Sequence, residues 1–225
     1  MNVFITGGTG YIGSRIIPAL LERGHTVRAL IRPGSEKKLP PGAWPILGNA
    51  LSAPTFARDV APSDTFLQLV GVAHPSPSKA DEFQKIDLVS IQESVKAIQD
   101  STIRHFIYLS VAHPAPAMKA YVAVREEGER LIRATGIPAT FVRPWYVLGP
   151  GHWWPYAILP FYWLWSAFPA QRDTARRLYP VKLAQVVNAI VDAVEHPANA
   201  IRVIEAPELK LNNVTPVAAA SLHVR

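Results

Sequence analysis

The sequence predicts an α/β chain: a doubly wound parallel sheet with a small C-terminal extension. Three observations predict it. Short apolar runs alternate with helix-length amphipathic segments through residue 143; the first run enters the glycine turn Gly7-Gly8-Thr9-Gly10-Tyr11-Ile12-Gly13; and Pro or Gly marks most of the joints. Strands and helices alternating in chain order pack as a parallel sheet covered on both faces.

Taken in order, residues 3–6 are a short apolar strand. Residues 11–22 carry Ile12, Ile16, Ile17, Leu20 and Leu21 at helical spacing, with Pro18 predicting a mild kink and Gly24 ending the helix. Residues 27–31 form the second strand, completing a β-α-β unit whose crossover is right-handed if the strands are parallel. The loop 32–42, RPGSEKKLPPG, belongs at the surface. Residues 44–47 are a third strand, 55–60 a brief helix and 65–72 a fourth strand. A loop with Pro75 and Pro77 leads to a helix over 83–100 that turns Ile86, Val89, Val95 and Ile98 toward a core. Residues 105–109 are the fifth strand, 118–134 a long helix capped by Gly136, and 139–143 the sixth strand. Beyond Pro144 the pattern loosens. Val186, Val187, Ile190, Val191 and Val194 place a helix in 181–195, and 201–205 reads as one more strand.

Composition excludes several kinds of chemistry. Apolar residues make up 49% of the 225 and charged residues 18%, which describes a globular chain with a sparingly charged surface. The absence of cysteine removes disulfides, thiolate catalysis and Cys-ligated metal. The histidines form no HExxH or other close pair with an acid, so no metal is expected. Net charge is +6, but Arg125, Arg130, Arg133, Arg143, Arg172, Arg176 and Arg177 are dispersed and no tract combines them with aromatics at a recognisable spacing, so no nucleic-acid partner is expected. A phosphate-rich small molecule accounts for several of these arginines equally well. The N-terminus MNVFITGGTG has no basic segment before an apolar run and reads as the first strand of a mature cytoplasmic protein.

The glycine turn carries the best functional signal because it follows a strand and opens a helix. Gly7 permits a sharp turn, Gly10 lets a pyrophosphate approach backbone N–H groups, and Gly13 lets the helix close on the sheet. The helix N-terminus supplies unpaired donors and partial positive charge to the phosphates. Thr9, Tyr11 and Ile12 complete the loop, and the implied ligand is a dinucleotide. The second strand ends at Leu30-Ile31-Arg32 with no acid to take the adenine-ribose hydroxyls. Arg32, with Lys37 or Arg28, can instead pair with a 2′-phosphate, so NADP is the expected cofactor; a solvated basic loop is the competing reading. Gly71 and Val72, at the end of the fourth strand, are expected beside the dinucleotide.

The spacing G-x-x-G-x-x-G resembles the short-chain dehydrogenase/reductase superfamily in its extended and atypical branches, most of all the proteins related to NmrA-type regulators and to the 39 kDa accessory subunit of respiratory complex I. The resemblance covers roughly residues 1–205 and is strongest in the first 35. It implies that Asn49 and Ala50, after the third strand, lie beside the adenine. It also implies a Ser at the end of the fifth strand and a Tyr followed four residues later by Lys. Ser110 and Tyr121 match, and Arg125 stands where Lys is expected. Residues four apart on a helix share a face, so Tyr121 and Arg125 can reach one cleft with Ser110. There Ser110 orients a carbonyl, Tyr121 donates a proton and Arg125 gives electrostatic support. The wet face of a helix, with Arg125 beside Glu126 and Glu129, is the alternative.

A second resemblance is the run Arg143-Pro144-Trp145-Tyr146-Val147-Leu148-Gly149-Pro150-Gly151, which in extended relatives lies near the nicotinamide. It implies that Pro144 stiffens that loop and that Trp145 or Tyr146 covers nicotinamide or substrate, in competition with packing on the sheet edge. Many relatives carry an acid near the position of Gln185. The stretch 153–170, WWPYAILPFYWLWSAFPA, is uncharged but broken by three prolines, which argues against a membrane span. It suits an apolar substrate pocket, a peripheral membrane contact, or a homodimer or protein-partner interface.

The expected organisation is a dinucleotide-binding Rossmann-type core over 1–150, an aromatic lid or interface over 151–180, a helix and strand returning to the core over 181–208, and a tail of unassigned role over 209–225. The expected function is NADP-dependent reduction of a small apolar carbonyl or activated alkene. The alternative is a non-catalytic NADP-binding structural or redox-sensing module, which the Arg in place of Lys and the short C-terminal portion favour.

Overall fold

Strand β1 (Asn2–Thr6) buries both faces at once: Val3 and Ile5 enter one core layer and Phe4 the other. Continuous apolar sequence is what a strand covered on both sides requires. In the computed structural model, which describes residues 1–115, 117–151 and 171–211, β1 is an interior strand of a seven-stranded sheet. Its partners are β2 (Thr26–Ile31), β3 (Trp44–Leu47), β4 (Thr65–Gln68), β5 (His105–Leu109), β6 (Ala139–Arg143) and β9 (Ile201–Glu205). The order is β3-β2-β1-β4-β5-β6-β9, and every pairing is parallel. Connections leave β1 and β4 in opposite directions, which opens a crevice at their carboxyl ends. A separate parallel pair joins β7 (Val147–Leu148) to β8 (Val181–Lys182).

One face is covered by α1 (Gly13–Glu22) and α6 (Leu183–Glu195), and α7 (Ala206–Leu211) packs against α6. Ile16, Ile17 and Leu20 of α1 meet Val186, Ile190 and Val194 of α6, all fully buried. The opposite face is covered by α3 (Val89–Ile98) and α4 (Lys119–Ala134). Phe4, Phe66 and Phe106 lie in register across β1, β4 and β5 on that face, and their rings stack at 5.3 and 5.1 Å. Each such buried ring contributes about 1.5–3 kcal/mol relative to exposure. The short α5 (Arg172–Arg177) precedes β8.

Three expectations are corrected. β4 ends at Gln68 rather than at residue 72, because β1 stops at Thr6 and Leu69 makes the last ladder bond, to the Thr6 carbonyl. The helix expected over 83–100 begins earlier, as α2 (Ala80–Glu82), and winds as a π-helix over Phe83–Leu88 before continuing as α3. That turn shifts the helical phase, so Phe83, Asp87 and Ile91 face inward while Ile86 and Val89 are only part-buried. The brief helix expected over 55–60 is instead two 3-10 turns, Ala53–Thr55 and Ala57–Asp59. Among the described residues no helix is long and apolar enough to cross a membrane. The aromatic stretch 153–170 and the tail from 212 onward lie outside the described residues.

Candidate functional site

The glycine turn joins β1 to α1 by a backbone path that side chains would block. Gly7 has φ +74°, a conformation that costs glycine little, and the Gly10 amide closes the turn on the Gly7 carbonyl at 3.0 Å. A β-carbon on Gly13 would overlap the Gly7 carbonyl and the Gly8 backbone, so the third glycine is what lets α1 start against the loop. Ile12 is the N-cap of α1 without a side-chain hydrogen bond, and no acid lies in the first turn. The N-terminus of α1 therefore carries neither a capping side chain nor an acid that would compete with an anionic ligand.

In front of this turn lies a cavity of about 910 Å³, at the upper end of the range of about 300–1,000 Å³ typical of small-molecule sites. Gly7, Thr9 and Gly10 form one wall, Arg32 and its neighbours after β2 a second, Asn49 and Ala50 after β3 a third, and Gly71 and Val72 a fourth. A glycine turn too tight for β-carbons, a helix start without a side-chain cap and a cavity of this size fit a dinucleotide. Arg32 is exposed, and no hydrogen bond or ion pair of its guanidinium is found among the described residues. Arg28 is turned away, its Nε bonded to the Asp59 carbonyl at 3.2 Å, and Lys37 is exposed outside the cavity lining. Gly71 and Val72 sit in the loop after β4 rather than in the strand.

Tyr11, Ile12 and Gly13 support this cavity without lining it: Tyr11 and Ile12 pack against the α1 core layer. Pro144 and Trp145 lie elsewhere. The Pro144 carbonyl accepts the Ala112 amide at 3.1 Å, and Trp145 packs beside Ala112 and Leu178 and edge-on to Tyr146. Gln185, where relatives were expected to carry an acid, is buried and accepts the Lys182 amide at the start of α6.

Tyr121, Arg125 and Glu129 recur every four residues on one face of α4, and the structure gives each a different environment. Tyr121 is part-buried against Phe83, ring centroids 4.9 Å apart. Arg125 is buried, pairs with Asp87 of the π turn at 2.6 Å and donates to the Leu109 carbonyl at 2.9 Å. Asp87 also accepts the Val72 amide at 2.9 Å. Burial pushes the Asp87 carboxyl up against the opposing pull of Arg125. For Arg125, burial opposes the charge but Tyr121, Tyr108 and Asp87 outweigh it, so the guanidinium stays protonated. It presses beneath Gly71, where a β-carbon would overlap it, so glycine serves there to make room.

The Ser110 hydroxyl donates to Glu129 at 2.7 Å. Glu129 also takes Arg143 Nε at 2.8 Å, Arg133 at 3.0 Å and His113 Nε2 at 3.2 Å. Burial raises this carboxyl, but the hydrogen bonds from His113, Arg143 and Ser110 and the Arg143 charge prevail and hold it at about 2. Glu129 is thus the centre of a buried network rather than part of a wet helix face.

Sequence reasoning missed Asp87, Glu129 and the charged cavity residues Lys79 and Glu82. One signal was available. Arg125 and Glu129 share a helix face with Val122 and Ile132, and charges on an apolar face need buried partners of opposite sign.

A family model described as NAD(P)H-binding matches residues 7–150, more than half of the chain. The chain belongs to the NAD(P)H-binding family. This NAD(P)H-binding chain is 27% identical over 171 residues to a 4-hydroxy-2-methyl-3-oxo-4-farnesyl-3,4-dihydroquinoline-1-oxide ketoreductase of Stigmatella aurantiaca, covering 66% of this chain and 51% of that one. It is 24% identical over 155 residues to a ceramide reductase of Caulobacter vibrioides, covering 66% and 47%. It therefore spans about half the length of these curated relatives. Its fold is that of the short-chain dehydrogenase/reductase superfamily. The NAD+ complex of the Bordetella bronchiseptica enzyme WbmH superposes with a TM-score of 0.68 at 20% identity, covering 91% of this chain and 75% of that one. A superfamily member from Agrobacterium tumefaciens with bound NAD superposes at 0.67 and 15% identity, covering 90% and 77%.

Proposed function

We propose that this chain is an NADP-dependent oxidoreductase of the short-chain type that reduces a small apolar carbonyl or activated alkene. The observation that carries the cofactor assignment is Arg32, exposed on the cavity wall after β2, with Glu82 the one acid among the described lining residues. An acid after β2 would accept the ribose hydroxyls and repel a 2′-phosphate; a guanidinium there pairs with it. The substrate class is supported by the ketoreductase relative, whose name carries a farnesyl chain, and by the ceramide reductase. The sequence of the stretch 153–170 is rich in Trp, Tyr and Phe, side chains of the matching apolar kind.

Bound NADPH supplies a hydride. Among this chain's residues, Tyr121 is the proton donor to the reduced oxygen, and Arg125, centred 5.1 Å from its ring, provides a fixed positive charge. Ser110 orients the substrate once its hydroxyl turns from Glu129.

A second reading has its own observations. Ser110 is committed to Glu129 and Arg125 to Asp87, as in a chain that binds NADP without turning it over. NADPH consumption against a panel of apolar ketones and enones, run beside NADPH binding for wild type and Tyr121→Phe, separates the two. The enzyme reading expects turnover that falls about a hundredfold or more in Y121F with binding retained. NADPH binding with no turnover anywhere in the panel selects the module.

A further inference from the structure

The charged side chains of the cavity wall are Arg32, Lys79 and Glu82. Arg32 lies at the β2 side. Lys79 and Glu82 lie opposite, where the loop after β4 returns toward α2. The Lys79 ammonium donates to the Ala73 carbonyl at 2.7 Å, and no carboxylate pairs with it among the described residues. Ala73 and Gly71 belong to the same wall. Arg15, in the first turn of α1, is pinned to the Tyr11 carbonyl at 2.6 Å and lies over the Tyr11 ring. A diphosphate resting between the glycine turn and the loop after β4 thus meets backbone donors on one side and lacks a committed cation on the other.

We propose that Lys79 is the side-chain ligand of the dinucleotide's diphosphate, waiting on the Ala73 carbonyl at the cavity rim. The inference rests on the placement of the dinucleotide in this cavity. Exchanging a neutral carbonyl for a charged oxygen adds ion-pair attraction to the ammonium's hydrogen bond, and a lysine's flexible stem lets it move between the two. Glu82 is exposed and can turn its carboxylate to water. The two cations then divide the ligand. Arg32 reads the 2′-phosphate, and Lys79 reads the group that NADPH and NADH share.

The test is calorimetric titration of the whole chain with NADPH and with NADH at two ionic strengths, for wild type, Lys79→Gln, Lys79→Arg and Arg32→Ala. Equal thermal midpoints establish that the variants fold. Lys79→Gln is expected to weaken both nucleotides by about tenfold. It should also flatten the salt dependence of binding, because a charge contact has been removed. Lys79→Arg should restore most of both. If K79Q merely loosened the loop, affinity would fall with the salt dependence unchanged, and that result overturns the proposal. Unchanged affinity, or a loss confined to NADPH, also overturns it. Wild-type protein that binds neither nucleotide removes the cofactor reading itself, and this inference with it.

Discussion

The two halves of the crevice are built on opposite terms. Around β1, β2 and β4 the cavity is lined largely by glycines and apolar side chains, and among the described residues its cations are held by nothing stronger than a carbonyl. Around β5, α4 and β6 the polar side chains are consumed by one another: Arg125 with Asp87, and Ser110, His113, Arg133 and Arg143 with Glu129. Unpaired charge beside a cavity is available for a ligand, whereas paired charge in the interior fixes how elements pack. Substitutions in the open half should therefore cost affinity, and those in the committed half should cost stability.

The largest effect sharpens this contrast from the committed side. Asp87→Ala leaves the Arg125 guanidinium buried without its carboxylate, and urea unfolding should show a loss of about 3–5 kcal/mol. Protein that remains folded should lose far less NADPH affinity than R32A does. The next effect is acid sensitivity. Glu129, held at about 2 against an ordinary 4.5, contributes stability that is complete above pH 4.5 and is lost as pH falls toward 2. The shift corresponds to about 3 kcal/mol, and Glu129→Gln should remove that part of the pH dependence. His105 acts at higher pH. Burial lowers its imidazole from 6.5 to about 4, so its contribution is complete above pH 6.5 and drains away as pH falls to 4. Stability measured from pH 7 to 2 should therefore decline in both windows, and a flat profile down to pH 4 would contradict the buried neutral imidazole. A smaller effect tests whether the open half has a structural requirement of its own. Gly13→Ala forces a methyl into the Gly7 carbonyl and should cost about 1–3 kcal/mol while also reducing nucleotide binding, since the same contact shapes the turn.

Much of the sheet was legible because its strands are short apolar runs bounded by breakers. The expected limits of β3, β5, β6 and β9 coincide with the observed ones. β4 was read too long because Leu69, Val70 and Val72 continue the apolar pattern, while the neighbour that would hold them has already turned away at Gly7. The helix over 80–98 was read in the wrong phase because one π turn moves Asp87 inward, and a fixed period of 3.6 cannot register that. In the candidate site, the glycines were found because their role is backbone geometry, which sequence context specifies. The partners of Ser110 and Arg125 were not, because spacing along α4 gives a shared face but not which acids lie across from it.

The most direct test of the account is titration of the purified chain with NADPH and NADH, with and without Arg32→Ala, after checking by absorbance for retained nucleotide. NADPH is expected to bind more tightly than NADH, and R32A to lower NADPH affinity by about tenfold or more while leaving NADH unchanged and unfolding stability within about 0.5 kcal/mol of wild type. Equal affinity of wild type for the two nucleotides, or an R32A variant that keeps its preference for NADPH, would contradict it.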